Sequence, residues 1–225
     1  TIAGTKISFE RPIVFKENDP AFGEIYRPFE VIPPVSMKLE EDVFIFSNEA
    51  SRNVKVIVKS SEKAINGILK LHVPKDWSIS PASQDFSIAQ KGQEVMLTFS
   101  VTPPAGSSEG KIYPIARVKG KIYDKKIVNI KYEHIPFQTV LLPATSKIVK
   151  LDVRKKGETV AYIEGAGDVI PASLEQIGYK VTTIKPENIS AENLAKYDAV
   201  VVGISAYNTI EELKFKRTEI FKYVK

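Results

Sequence analysis

The 225-residue chain contains no cysteine and only two histidines, His72 and His134. Without cysteine, the protein has no disulfides, no thiol nucleophile and no thiolate metal ligands. Neither histidine stands at metal-ligand spacing from a second residue of ligand type. The sequence therefore predicts no metal site and no bound cofactor.

Long apolar runs are also missing: none approaches the roughly 18 residues that cross a bilayer, so we predict no membrane span. Residues 1–10 lack the charged start and apolar stretch of a secretory signal. The formal net charge is +5, and the basic excess lies in the first 150 residues. Its densest part, residues 111–126, lacks interleaved aromatics and clustered arginines, so we predict a solvated sheet face and no nucleic-acid partner.

Short apolar runs and two-residue alternation occupy residues 43–132, with a turn-forming cluster about every ten residues. This spacing predicts an immunoglobulin-like β-sandwich. In the strand at residues 95–101, odd-numbered side chains are expected to face the core. Trp77, the only tryptophan, is expected to anchor that core rather than to stack against a sugar.

The pattern changes after Gly157, where short buried-type strands at 160–163, 179–184 and 198–203 alternate with helical segments at 169–177, 191–197 and 211–224. Gly178 is placed to end the first helix and Ser190 to cap the second. The order βαβαβα predicts a parallel sheet of strand order 2-1-3, as in a flavodoxin-like α/β domain. No strand follows the last helix, so we expect that domain to be truncated.

Four regions follow from these patterns. Residues 1–35 are interpreted as an extended remnant of a preceding domain, because their prolines disfavour a regular sheet. Residues 36–133 form the predicted sandwich, 134–156 the linker and 157–225 the partial α/β domain. The fold class expected is thus an all-β sandwich followed by a truncated α/β domain.

Two loops of the α/β region are candidate ligand sites. The first, residues 165–168, follows a strand and opens a helix, but Ile170 stands where the third glycine of a dinucleotide fingerprint belongs. Asp168 would repel phosphate, so a tight turn with an acidic cap is favoured over nucleotide binding.

The second loop follows the third strand and contains Ser205, Tyr207 and Asn208. Ser205 occupies the position of a nucleophile elbow, yet no histidine follows His134 to act as its general base. We therefore predict no catalytic residue. Asp168, Ser205, Tyr207 and Asn208 remain candidates for ligand binding at the carboxyl ends of the strands, with a purely structural turn as the alternative.

Several motifs in the sandwich resemble the alpha-galactosidase-associated, immunoglobulin-like domain family, namely VPKDWSISP at 73–81, GQEVMLTF at 92–99 and VTPPAG at 101–106. A wider set resembles the C-terminal part of LmbE-like (PIG-L-type) N-acetylglucosaminyl de-N-acetylases, namely YRPFE at 26–30, PPVS at 33–36, YEHIP at 132–136, GAGD at 165–168 and AYNT at 206–209. In that architecture the sandwich and a glutamine-amidotransferase-like α/β domain follow a zinc-dependent catalytic domain. The sequence has no counterpart of the family's zinc motif, so no catalytic residue is carried over.

The resemblance implies a non-enzymatic accessory module of a bacterial glycan-processing protein. Its partners would be other domains of the same polypeptide and a glycan, and its location would be periplasmic or cell-surface. Two alternatives stay open. The α/β domain is a hydrolase or amidotransferase with Ser205 near its active turn, or the basic sheet binds an acidic protein.

Overall fold

A computed structural model describes residue 4, residues 8–132 and residues 134–224. About 46% of the chain is strand and 14% helix. The strands are β1 Val14–Asp19, β2 Gly23–Pro28, β3 Val35–Leu39, β4 Val43–Phe46, β5 Arg52–Ser60, β6 Ile65–His72, β7 Ser78–Ser80, β8 Gln84–Ile88, β9 Glu94–Thr102, β10 Ser108–Val118, β11 Lys121–Tyr123, β12 Lys125–Ile130, β13 Gln138–Pro143, β14 Ser146–Lys150, β15 Thr159–Ile163, β16 Lys180–Thr183 and β17 Ala199–Val202. The α-helices are α1 Ile170–Gln176, α2 Ala191–Leu194, α3 Ala206–Thr209 and α4 Leu213–Val224, with a 3₁₀ turn at Pro186–Asn188.

Two sheets enclose the larger core. One has the order β3-β5-β9-β7, and the other has the order β4-β14-β10-β6-β8 with β11 paired to β10. Alternation along the strands supplies the core: Val54, Val56 and Val58 are fully buried, and Lys55 between them is exposed. In β9 the odd-numbered residues from 95 to 101 are less exposed than Met96 and Thr98, as predicted.

Trp77 belongs to this core and is 5% exposed. Its ring meets Phe46 edge-on with centroids 4.9 Å apart, and its Nε1 donates to Ser108 Oγ at 3.0 Å. The predicted role as a core anchor is confirmed. The indole NH, which would be costly to bury alone, has its partner.

The segment predicted to be an extended remnant without a regular sheet contains the antiparallel hairpin β1–β2. Pro20 lies in its turn and Pro28 at the end of a strand, where a missing N–H does not interrupt the ladder. Asp19 Oδ1 accepts from the backbone N–H groups of Ala21 at 2.8 Å and Phe22 at 3.0 Å, which closes the turn. The prolines therefore limit the length of the sheet without preventing it.

The segment predicted to be a linker contains β13 and β14. β13 forms a second hairpin with β12, while β14 pairs antiparallel with β10 and parallel with β4. β14 is thus a strand of the sandwich, and Ile148 within it is fully buried. β14 pairs with β4, which lies about a hundred positions earlier in the chain. Local sequence patterns do not predict a pairing between such distant residues.

The α/β region is a three-stranded parallel sheet with β15 between β16 and β17. The predicted caps are confirmed: Gly178 has a φ of +95°, and Ser190 Oγ accepts from Asn193 N at 3.2 Å. This region has a small core of its own, composed of Ala161, Ile163, Ile184, Ile189, Leu194, Ala206 and Leu213.

The predicted fold class is nevertheless wrong, because the chain is mostly β with several separate sheets and has no clear flavodoxin fold. Helices α2 and α3 have four residues each, and α1 buries no residue. A doubly wound fold has a longer sheet with helices along both faces, whereas this sheet has three strands and three of the four helices have seven residues or fewer.

Among the described helices, none is long and apolar enough to cross a membrane.

Candidate functional site

The candidate site lies at the carboxyl ends of β15 and β17, where the two predicted loops meet. Ala166 N donates to Ile204 O at 2.8 Å, and Gly203 N donates to Ile163 O at 2.8 Å. Parallel neighbouring strands end at the same edge, so both loops start side by side.

Two glycines permit this close approach. A Cβ at Gly165 would lie 2.1 Å from Ile204 O, and one at Gly203 would lie 2.5 Å from Tyr162 Oη. Any side chain at either position would separate the loops.

Asp168 connects the two loops through its carboxylate. Oδ2 accepts from Tyr162 Oη at 2.6 Å and from Ile204 N at 3.3 Å, while Oδ1 accepts from Ile170 N at 3.0 Å. The bond from Tyr162, followed by those from the two backbone N–H groups, lowers the pKa of Asp168. The aspartate thus binds the N–H of the first residue of α1, next to the N-cap Val169, and carries negative charge into the crevice.

Tyr162 is the partner that sequence reasoning missed. It is 2% exposed in the middle of the sheet, and burial together with the bond to Asp168 raises its pKa to about 12. A tyrosine inside an apolar parallel strand must find a hydrogen-bond partner for its hydroxyl. Asp168 carries a carboxylate six residues later in the sequence, so this requirement could have predicted the hydrogen bond between the two residues.

Ser205 is the N-cap residue of the four-residue helix α3, and Tyr207 and Asn208 lie within that helix; all three are exposed. Ser205 has a left-handed backbone, with φ +54°, and its carbonyl accepts from Asn208 N at 2.8 Å and Thr209 N at 3.1 Å. Ala64 and Lys119 have similar φ values in other turns, so this backbone conformation alone does not identify a nucleophile.

The four predicted residues are therefore brought to one edge of the sheet. Asp168 is held by three hydrogen bonds, whereas the side chains of Tyr207 and Asn208 have no hydrogen-bond partner among residues 8–132 and 134–224. An exposed aromatic ring beside an exposed amide can stack on an apolar ligand face and bond its hydroxyl groups.

The two histidines lie elsewhere. The ring of His72 stacks on Tyr113 with centroids 5.1 Å apart, and that of His134 tilts against Tyr132 at 5.8 Å.

A second arrangement joins the α/β region to the sandwich. Gln176, at the end of α1, accepts from Ile45 N at 2.8 Å and donates to Glu41 Oε2 at 2.6 Å. Glu41 also pairs with Arg52, whose guanidinium lies 5.5 Å from the ring centroid of Phe44. Burial raises the pKa of Glu41 despite the adjacent Arg52.

The segment that connects the two regions, which contains Leu151 and Lys155, is also held by hydrogen bonds. Leu151 N donates to Phe46 O at 3.0 Å, and Lys155 Nζ donates to Gly178 O at 2.7 Å. Because Ile45 belongs to the edge strand β4, Gln176 satisfies an N–H that this edge would otherwise present to solvent.

No protein-family model and no curated protein matches the chain. Among solved structures, the chain is similar to a protein of unknown function from Porphyromonas gingivalis W83, with 9% sequence identity and a TM-score of 0.30. The similarity covers 59% of this chain and 60% of that one, so this chain spans less than two thirds of its length. A similarity of this size carries no argument about function.

Proposed function

We propose that this chain is a non-catalytic accessory module that holds its α/β region in a fixed orientation on the sandwich, and thereby spaces a catalytic domain of a glycan-processing protein. The observation that carries the proposal is the bridge from Gln176 to Ile45 N and Glu41. Units joined by a single segment usually move relative to each other, and such a bridge opposes that motion.

The chemistry of the bridge suits this role. A neutral hydrogen bond contributes about 0.5–1.5 kcal/mol and one to a charged group about 1.5–3 kcal/mol. Gln176 makes one of each kind, to a backbone N–H and to a carboxylate. Arg52 pairs with the same carboxylate and holds it in position.

The glycan-processing context rests on the motifs that resemble LmbE-like de-N-acetylases and their associated immunoglobulin-like domain. The same resemblance supports an extracytoplasmic location and other domains of the same polypeptide as partners.

The absence of cysteine makes the orientation directly measurable, because two introduced cysteines take spin labels without background. We select the exposed residues Ser87 in the sandwich and Glu192 in the α/β region. Double electron–electron resonance is expected to give one narrow distance distribution. Gln176→Ala should broaden it, and Gln90→Ala, at an exposed glutamine of the sandwich, should not.

A broad distribution in the parent protein would contradict the proposal, as would a narrow one that Gln176→Ala leaves unchanged. Release of acetate from N-acetylglucosamine substrates with added zinc should stay at the level of a heat-denatured control. Turnover above that level would show that the chain is itself an enzyme.

Glycan contact is assigned to the crevice, through Tyr207 and Asn208 beside Asp168. Titration with N-acetylglucosamine is expected to shift the backbone amide resonances of residues 204–209. Tyr207→Ala should abolish those shifts, while Tyr113→Ala, at an exposed tyrosine of the sandwich, should preserve them. Shifts that survive Tyr207→Ala would remove the crevice from the proposal.

The alternative of a hydrolase is favoured only by the left-handed backbone of Ser205. It predicts that Ser205→Ala abolishes a hydrolytic activity of the complete protein. Unchanged activity would eliminate it.

A further inference from the structure

A large cavity lies away from the crevice, between the hairpins β1–β2 and β12–β13 and the sheet that contains β3, β5 and β9. Its volume is about 680 Å³. Pockets for small molecules typically measure about 300–1,000 Å³, so this space suits an organic ligand rather than a single ion.

Apolar side chains from all three elements form much of its wall. Phe15 and Phe29 come from the first hairpin region, Ile127 and Phe137 from the second, and Ile57 from the sheet. Phe15 and Phe29 are 53% and 63% exposed. A ligand with an apolar body would remove this surface from water, which is favourable.

The two hairpins are held together across the cavity by an aromatic contact. The guanidinium of Arg27 lies 4.8 Å from the ring centroid of Phe137, and Arg27 also pairs with Glu17 on the neighbouring strand. This contact fixes the ring of Phe137 in the wall, so that part of the site is formed before a ligand binds.

The charged groups of the wall are mostly positive. They comprise the five cations Arg27, Lys38, Lys59, Lys91 and Lys126 and the two carboxylates Glu30 and Glu94. Lys59 and Glu94 pair with each other at 3.0 Å. Lys38 and Lys91 form no ion pair with any residue in the described part of the chain.

We propose that this cavity binds small organic anions with an aromatic or aliphatic body. The body packs against the phenylalanine rings, and the anionic group is attracted by Lys38 and Lys91. Opposite charge lowers the energy of the anion in the partly enclosed site, and an uncharged molecule of the same shape gains only the apolar part.

A matched pair of probes separates these two contributions. 2-Naphthoate and 2-naphthamide share one ring system and differ in charge. Isothermal titration calorimetry on the 225-residue chain is expected to show naphthoate binding about ten-fold more tightly than naphthamide at low salt. Raising the salt concentration should reduce that ratio, because exposed charges are screened.

Charge reversal then locates the site. Lys38→Glu combined with Lys91→Glu should weaken naphthoate binding about ten-fold and leave naphthamide binding within two-fold. The matched control is Lys70→Glu with Lys121→Glu, which reverses two exposed lysines outside the cavity. It should change naphthoate binding less than two-fold.

The proposal is overturned if naphthoate and naphthamide bind equally, or if neither binds at millimolar concentration. It is also overturned if both double variants weaken naphthoate equally, since the effect would then be one of overall charge. The comparison of the two probes on the unsubstituted protein keeps the test decisive should a variant fail to fold.

Discussion

The sandwich and the α/β region differ most in how much core each one has. The sandwich cluster contains 20 buried hydrophobic residues drawn from both of its sheets, whereas the α/β cluster contains seven. Burial of apolar surface is the main favourable contribution to the free energy of folding. The core of the sandwich is therefore large enough for independent folding, whereas the core of the α/β region stabilises it only slightly.

This difference explains why the contacts between the two regions matter. The α/β region depends on hydrogen bonds at its margins, such as those of Gln176, Asp168 and Asp198. The sandwich depends on packing. Removal of polar side chains at the edges of the α/β region should therefore destabilise that region selectively. Truncation of a buried side chain should destabilise whichever region contains it.

The largest effect is expected for Phe99→Ala, which empties a fully buried position of the sandwich. Truncation of a buried phenylalanine costs about 3–5 kcal/mol. Urea denaturation followed by tryptophan fluorescence measures the loss, because Trp77 belongs to the same core. Met96→Ala, on the same strand but 59% exposed, is the control and should cost well under half as much.

Leu194→Ala should produce a smaller loss, confined to the α/β region. Leu194 is fully buried in the seven-residue core, and we expect about 2 kcal/mol, at the low end for leucine, because a small core can collapse around the space. Amide exchange should accelerate in β15–β17 and not in β5 or β9. Uniform acceleration in both regions would show that they unfold as one unit.

Tyr162→Phe is expected to change the ionisation of Asp168 in the crevice and to leave the fold intact. The hydroxyl is the largest cause of the lowered pKa of Asp168, so its removal should raise that pKa toward its ordinary value. NMR titration of the Asp168 carboxyl carbon measures this shift. Tyr179→Phe, whose hydroxyl makes only a 3.4 Å bond to Lys156 O, should leave it unchanged.

Acid should destabilise the α/β region selectively through Asp198. Its Oδ2 accepts from Glu158 N, Thr159 N and Thr159 Oγ1, and these bonds lower its pKa from 3.8 to about 2. The stability linked to a lowered pKa is present above the ordinary value and is lost as the pH falls through the folded value. The urea midpoint of this region should therefore fall between about pH 4 and pH 2.

Asp198→Asn is expected to reduce that dependence, because the amide does not titrate in this range. Asp76→Asn, at an exposed position of the sandwich, should retain it. Equal acid dependence in all three proteins would assign the effect to other carboxylates.

The position of the candidate crevice was predictable from the sequence, but some of the hydrogen bonds that hold the region were not. Strand order and the turn sequences placed Asp168 and residues 205–208 at one edge of the sheet, since parallel strands end together. The link from Tyr162 to Asp168 and the bridge from Gln176 to Glu41 were not predicted. The bridge joins residues 135 positions apart, and no local pattern contains that information.

The sequence by itself determined the features that depend on near neighbours. It determined the inward-facing residues of β9, the left-handed Gly178, the Ser190 cap and the buried Trp77, because each follows from the chirality and periodicity of a few consecutive residues. Tertiary structure alone decided that β14 joins the sandwich, that two hairpins line a cavity and that the parallel sheet stops at three strands. Those outcomes depend on which distant surfaces meet, and the free energy of that choice comes from packing that exists only in the folded chain.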